Sequence, residues 1–257
     1  MADGSGVVSS DIVGYQTLTI PQGYSMYCVT FKGVGNTAYD CTNIKLLNSA
    51  GKEMNDDNSA SPSQRSRNKI IFQKLNLETG SLMSTLYRYN SQNGKGWCAG
   101  STALTEGDLT FANGEGIYIN NAQGDVVQFQ YSGQVDLTPV SMALEPGYSI
   151  VGNMTPVAVD LSKVKLLNSA GVEMNDDNST SPSQRSRNKV IFQLLDATTG
   201  NVTSTLYRYN SQNGKGWCEG STQLTEGQMM LQPGQSFYLN NGQGDRVYLQ
   251  FPTLVTE

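Results

Sequence analysis

Residues 84–98 read STLYRYNSQNGKGWC, and residues 204–218 read the same letters in the same order. Inside each copy, Leu86-Tyr87-Arg88-Tyr89 is separated from Gly96-Trp97 by a turn signal, Asn93-Gly94, and this spacing predicts a β-hairpin. The identity does not stop at the hairpin. Lys45–Gln130 aligns with Lys165–Gln250 at a constant offset of 120 and without gaps; 26 of the 86 positions differ, leaving 86 − 26 = 60 identical. Upstream, Pro21-Gln22-Gly23-Tyr24-Ser25-Met26 matches Glu145-Pro146-Gly147-Tyr148-Ser149-Ile150. From Tyr24 to Lys45 is 45 − 24 = 21 steps and from Tyr148 to Lys165 is 165 − 148 = 17, so the first copy carries four extra residues. A repeat of this length predicts two tandem modules, 12–133 and 137–253, behind an N-terminal segment 1–11. The junction Ser132-Gly133-Gln134-Val135-Asp136 is short and should hold the modules close together.

Six segments per module read as strands, in the first copy Gly14–Ile20, Ser25–Phe31, Lys69–Leu75, Ser84–Tyr89, Gly116–Asn120 and Asp125–Tyr131. The last is the clearest. Val127, Phe129 and Tyr131 alternate with Val126, Gln128 and Gln130, and the second copy keeps the first set apolar as Val247, Leu249 and Phe251 while Arg246 enters the other set. The set that stays apolar should face the core, and a one-residue slip would expose it. Asn113-Gly114, its counterpart Pro233-Gly234, and Gln123-Gly124-Asp125 mark further turns. Many short strands at close spacing predict an all-β fold: two tandem homologous β-sandwich or barrel-like domains with very little helix.

Composition narrows the function. Charged residues make up 15% and hydrophobic residues 37% of the 257-residue chain, which suits a turn-rich β-protein with a polar, weakly ionic surface. A net charge of −5 argues against nucleic acid as a partner, and no apolar run is long enough for membrane insertion as a helix. There is no histidine, which removes the commonest general base and the commonest metal ligand. No cofactor or metal is expected, and an enzyme is disfavoured. Paired-carboxylate glycoside hydrolysis, with Glu53 and Asp56 as the acids, stays open with no supporting pattern. The N-terminus, Met1-Ala2-Asp3-Gly4-Ser5-Gly6, does not read as an intact signal peptide.

Two polar blocks hardly differ between copies: Glu53–Lys69 against Glu173–Lys189, with one difference at Ala60/Thr180, and the hairpin block. Loops ordinarily drift faster than cores. Recent duplication explains the pattern; so does a polar surface presented twice to equivalent partners. The candidate binding or assembly surface is therefore Tyr87, Arg88, Tyr89 and Trp97 with Tyr207, Arg208, Tyr209 and Trp217, joined by Asp56, Asp57, Arg65 and Arg67 and their twins Asp176, Asp177, Arg185 and Arg187. Rings beside Asn, Gln and Arg suit sugar stacking and protein contacts alike, and burial of alternate hairpin residues is the competing reading. The turns Asn55–Asn58 and Asn175–Asn178 read as exposed and acidic, with calcium ligation through oxygens as the alternative. Asn153, Asn178 and Asn201 each begin an Asn-x-Thr glycosylation pattern.

Cys28 and Cys41 occur only in the first copy, flanking its insertion, and their aligned partners, about Gly152 and Leu161, are both non-cysteine. That co-occurrence predicts a disulfide closing a short loop; two buried free thiols are the alternative. Cys98 and Cys218 are equivalent, each following a Trp, and read as free, partly buried thiols.

Val13-Gly14-Tyr15, Leu18-Thr19-Ile20-Pro21-Gln22-Gly23-Tyr24-Ser25-Met26, Gly96-Trp97 and Gly114-Glu115-Gly116-Ile117-Tyr118, with Pro146–Asn153 and Pro233–Tyr238 in the second copy, resemble a group of secreted modules of Verrucomicrobia-like bacteria. The resemblance covers most of both copies through short, glycine-centred motifs. It implies export to the cell surface or medium, an all-β module and no catalytic residues. The block Glu53–Lys69 is not part of that pattern. These readings together lead to an extracellular structural protein that self-assembles into a filament, sheath or surface layer, with itself as partner. A tandem carbohydrate-binding or adhesion module, with glycans as ligands and Trp97 and Trp217 as exposed platforms, is the alternative.

Overall fold

Burial alternates as the sequence does along residues 127–134, where Val127, Phe129 and Tyr131 are buried and Gln128, Gln130 and Ser132 face out. The computed structural model describes residues 13–35, 37–54, 70–90, 96–136, 141–174, 190–210 and 216–253. Within them the protein is all-β. The first half contributes β1 (Val13–Ile20), β2 (Gly23–Cys28), β3 (Tyr39–Asp40), β4 (Lys45–Leu47), β5 (Ile70–Gln73), β6 (Tyr87–Asn90), β7 (Gly96–Ala99), β8 (Thr102–Ala103), β9 (Thr110–Phe111), β10 (Gly116–Asn121) and β11 (Val127–Gln134). The second contributes β12 (Ser141–Leu144), β13 (Gly147–Gly152), β14 (Val159–Asp160), β15 (Lys165–Leu167), β16 (Val190–Leu195), β17 (Val202–Asn210), β18 (Gly216–Glu219), β19 (Thr222–Gln223), β20 (Met230–Leu231), β21 (Ser236–Asn241) and β22 (Val247–Gln250). Three-residue 3-10 turns at Cys41–Asn43 and Leu161–Lys163 are capped by Asp40 and Asp160, and no α-helix occurs among the described residues.

Each half builds antiparallel sheets in the same order: β1-β11-β4 and β2-β10-β5-β6-β7-β8 in the first, β12-β22-β15 and β13-β21-β16-β17-β18-β19 in the second. The three-stranded and six-stranded sheets of one half share one core. In the first half Leu18, Ile20, Leu46, Val127 and Phe129 meet Ile70, Phe72, Tyr89, Trp97, Ile117 and Ile119. Fully burying each such side chain contributes about 1.5–3 kcal/mol. The second half has a separate cluster of equivalent residues.

The chain passes between sheets at corners, where the β-ladder stops and backbone groups need other partners. Asn121, fully buried, meets that need: its Nδ2 donates to the carbonyls of Ile20 (3.2 Å), Pro21 (3.1 Å) and Asp125 (2.9 Å), and its Oδ1 accepts from Gln123 N–H (3.0 Å). Asn241 does the same with Leu144, Asp245 and Gln243.

The predicted hairpin is present, with Tyr89 paired to Trp97 and Asn90 to Gly96. The predicted Cys28–Cys41 disulfide is not. Both are buried free thiols. Cys28 ends β2 with its sulfur 3.5 Å from the carbonyl of Asn153 in the second half, while Cys41 lies inside the first core. Burial raises the Cys28 thiol to about 12, with Ser236 pulling weakly the other way. Cys41 is raised further by burial and then by the Asp40 charge. Cys98 and Cys218 are also buried, rather than partly buried.

Candidate interaction surfaces

The hairpin rings are core, not surface. Trp97 is 3% and Trp217 2% exposed, and each donates its indole N–H at 2.9 Å to a backbone carbonyl, of Ile44 and Val164. Tyr89 packs edge-on to Trp97 (5.0 Å between centroids), which also meets Phe72 and Phe129. Tyr209 repeats this on Trp217, and Tyr207 is buried as well. Tyr87 is half-buried and stacks on Phe72 at 4.8 Å. The alternation of a half-buried sheet explains this: Tyr87, Tyr89 and Trp97 share the inward face. The exposed stacking platforms expected for glycan binding at Trp97 and Trp217 are therefore absent. Arg88 and Arg208 take the opposite face, each half-buried with a buried Nε that makes no hydrogen bond. Asp56, Asp57, Arg65, Arg67, Asp176, Asp177, Arg185 and Arg187 lie outside the described residues, as do the turns Asn55–Asn58 and Asn175–Asn178. The glycosylation pattern at Asn153 is closed: Asn153 is fully buried, its amide donates to Val157 and Leu231 carbonyls, and its Oδ1 accepts from Thr155. Asn201 is exposed, and Asn178 is outside the described residues.

One surface escaped the sequence reading, the seam between the halves. Its contacts come in pairs related by a two-fold exchange of the halves. Tyr24 N–H donates to Ala197 O (2.9 Å) and Tyr148 N–H to Leu77 O (3.0 Å). Tyr118 hydroxyl donates to Gly200 O and Tyr238 hydroxyl to Gly80 O, both at 3.3 Å. Cys28 N–H donates to Gly234 O (2.8 Å) and Gly152 N–H to Gly114 O (3.1 Å). Met26, Leu75 and Ile150 are buried between the halves against Tyr118, Tyr148, Leu195 and Tyr238. A Cβ on Gly80 would stand 2.9 Å from the Tyr148 ring, and one on Gly200 3.0 Å from that of Tyr24, so both close approaches require glycine. Two equivalent grooves flank the seam, of about 350 Å³ beside Tyr24 and about 260 Å³ beside Tyr148.

The seam fixes where the repeated polar blocks emerge. It uses β2 and β13, the edge strands of the six-stranded sheets, and the turns after β5 and β16. The β6–β7 hairpin occupies the fourth and fifth places counted from β2, roughly 14–19 Å away at about 4.8 Å per strand. Its Asn90–Gly96 end points the opposite way from the turn 76–80 that touches the second half, because β6 runs antiparallel to β5. Ile70, where the Glu53–Lys69 block re-enters the sheet, stands at that same end, one residue from Arg88's partner Ile71. The second half repeats the arrangement with Val190, Asn210 and Gly216. The strand ends that bound the two nearly invariant blocks thus stand at the same end of the sheet, opposite the turn that touches the other half, in each half.

Among the described residues, no group of three or more His, Cys, Asp or Glu side chains is placed to hold a metal ion, and no helix is long and apolar enough to cross a membrane. Comparison with protein-family models, curated proteins and solved structures finds no match for this chain.

Proposed function

We propose that the chain is an exported structural subunit: two tandem homologous β-sandwich modules, docked through a two-fold seam, that assemble with further copies through their outer ends into a filament, sheath or surface layer. The observation that carries this reading is that the strand ends bounding the same two polar blocks stand together in each half, at the end of the sheet opposite the turn that touches the other half. A two-fold body with equivalent ends is bivalent. When each end meets an end of the next copy, the contacts do not close on themselves and a linear polymer grows. Selection on a repeated contact also accounts for loops that differ less than the strands beside them.

Light scattering and negative-stain imaging at rising concentration test the reading. Extended particles are expected. Charges placed in one repeated block, with Ser91→Lys in the hairpin segment, should stop growth at dimers, and the double variant with Ser211→Lys should be monomeric. A wild-type chain that stays monomeric at high concentration overturns the proposal.

A further inference from the structure

We infer that the free edge of β1 is a second self-association site, at which two chains pair their β1 strands antiparallel across a two-fold axis. This rests on the self-assembly reading above and adds a lateral contact to the end-to-end one.

Sheet edges left open invite pairing, and proteins protect them by shortening them or by placing charge or proline on them. Other edges follow that practice: β8 and β19 have two residues, and β4 and β15 have three, with Leu47 and Leu167 further bridged to Glu53 and Glu173. The edges of β2 and β13 lie in the seam. By contrast, β1 is eight residues long, VGYQTLTI, with no charge and no proline. It pairs with β11 along its whole length, and no strand flanks its other side among the described residues, although the Tyr27 hydroxyl donates to the Thr19 carbonyl at 2.9 Å and leaves that oxygen one lone pair for a partner. Its outward residues are Val13, Tyr15, Thr17 and Thr19, all exposed, with Val13 at 69% and Tyr15 at 65%. These are β-branched and aromatic residues, suited to a strand interior rather than an open edge.

The occupant that fits is a second copy of the same strand. An uncharged edge meets no repulsion from itself, whereas the chain as a whole carries −5. With Thr17 opposite its own copy, Tyr15 lies across from Thr19 of the partner subunit, an aromatic to β-branched cross-strand pair of the stabilising kind. The joined sheets form one six-stranded sheet, β4-β11-β1 followed by the same three strands in reverse. This lateral contact turns end-to-end filaments into paired ones.

Two variants of the full chain test this. Tyr15→Lys with Thr17→Lys sets like charges face to face; the paired species should dissociate at concentrations at least about tenfold higher, with the melting temperature of the single chain retained. Thr17→Cys should give a disulfide-linked dimer under mild oxidation, since opposed residues of such a pair sit within the roughly 4.4–6.8 Å that a disulfide spans, while Thr222→Cys should not. If the lysine variant misfolds, the cysteine result decides. Wild-type chains that remain monomeric overturn both this inference and the end-to-end reading. Polymers that persist unchanged in the lysine variant, with no cross-link in the Thr17→Cys variant, overturn this inference alone. A cross-link that forms only after residues 1–12 are removed assigns the edge to the chain's own N-terminal segment and also overturns it.

Discussion

The sulfur of Cys28 stands 2.5 Å from where a Cβ on Gly152 would be, so the thiol fits the seam because residue 152 has no side chain. The two are counterparts across the two-fold exchange, and the sequence difference between the copies is a fit of large against small. Gly152→Ala should lower the unfolding free energy by roughly 1–3 kcal/mol through overpacking, read from denaturant midpoints at constant m-value. Cys28→Ala should recover part of it in the double variant, but not all, because Ser236 Oγ stands nearer still to the same point and Gln235 O lies 2.7 Å from it. Additive effects of the two changes would contradict the packing account.

The indole of Trp97 ties β7 to the residue before β4, through Ile44 O, and Trp217 does so through Val164 O. Trp97→Phe should cost roughly 1–3 kcal/mol for the carbonyl left buried without a donor, in addition to the lost volume, and Trp217→Phe should cost a similar amount. Tryptophan emission of the wild type should be blue-shifted, inaccessible to iodide and unmoved by soluble glycans. Emission that shifts on adding an oligosaccharide would restore the stacking-platform alternative.

Asn121 closes the corner between the six- and three-stranded sheets with its side-chain amide. Removing it leaves the carbonyls of Ile20, Pro21 and Asp125 without that donor in a buried place. Asn121→Ala and Asn241→Ala should each destabilise by roughly 1–3 kcal/mol or more, and Asn121→Asp should be worse at neutral pH because a carboxylate cannot donate to carbonyls. Hydrogen exchange at residues 20–23 and 122–127 should report the loss first in the Asn121 variants. Unchanged protection there would mean that the corner is held by other contacts.

Much of the scaffold was legible because strand periodicity and turn chemistry are local. The alternation at 127–131 gave the buried face of β11, and Asn93-Gly94 gave the hairpin. The seam was not legible. Gly80 and Gly200 read as turn residues, and nothing local tells that a tyrosine ring from the other half rests on each. Asn121 and Asn241 read as loop asparagines, since buried amides have no periodic signature. The co-occurrence of Cys28 and Cys41 suggested a bond, whereas the two thiols separate into the seam and the first core. The burial of Trp97 and Trp217 was one of two readings that pattern alone left open, and the hydrogen bonds to Ile44 and Val164 decide it.

The same asymmetry predicts which half yields to alkali. In the first half, burial raises the Tyr39 hydroxyl to about 12 and the Tyr131 hydroxyl further, and the Cys28 and Cys41 thiols are raised likewise. The second half has Val159, Phe251, Gly152 and Leu161 at the corresponding places, none of which titrates. In the unfolded chain these groups ionise near ordinary values, about 8.5 for Cys and about 10 for Tyr. Above those values the unfolded state binds fewer protons than the folded one, so stability falls as pH rises. The contribution is fully present below about 8.5 and is lost progressively toward about 12. The acid side behaves differently. Burial acts to raise Asp40 and Asp160, but the hydroxyls and N–H groups of Thr42 and Ser162 and the N–H groups of Gly107 and Gly227 outweigh it, holding both carboxyls below the usual range. Their contribution is present above about pH 4 and is lost as pH falls through the lowered values. Trp217→Phe leaves Trp97 as a reporter of the first half, and Trp97→Phe leaves Trp217 for the second. Between about pH 8.5 and about pH 11 the Trp97 signal should lose its melting temperature faster than the Trp217 signal, whereas below about pH 4 both should fall. Parallel loss on the alkaline side would show that the buried tyrosines and thiols of the first half do not govern its stability.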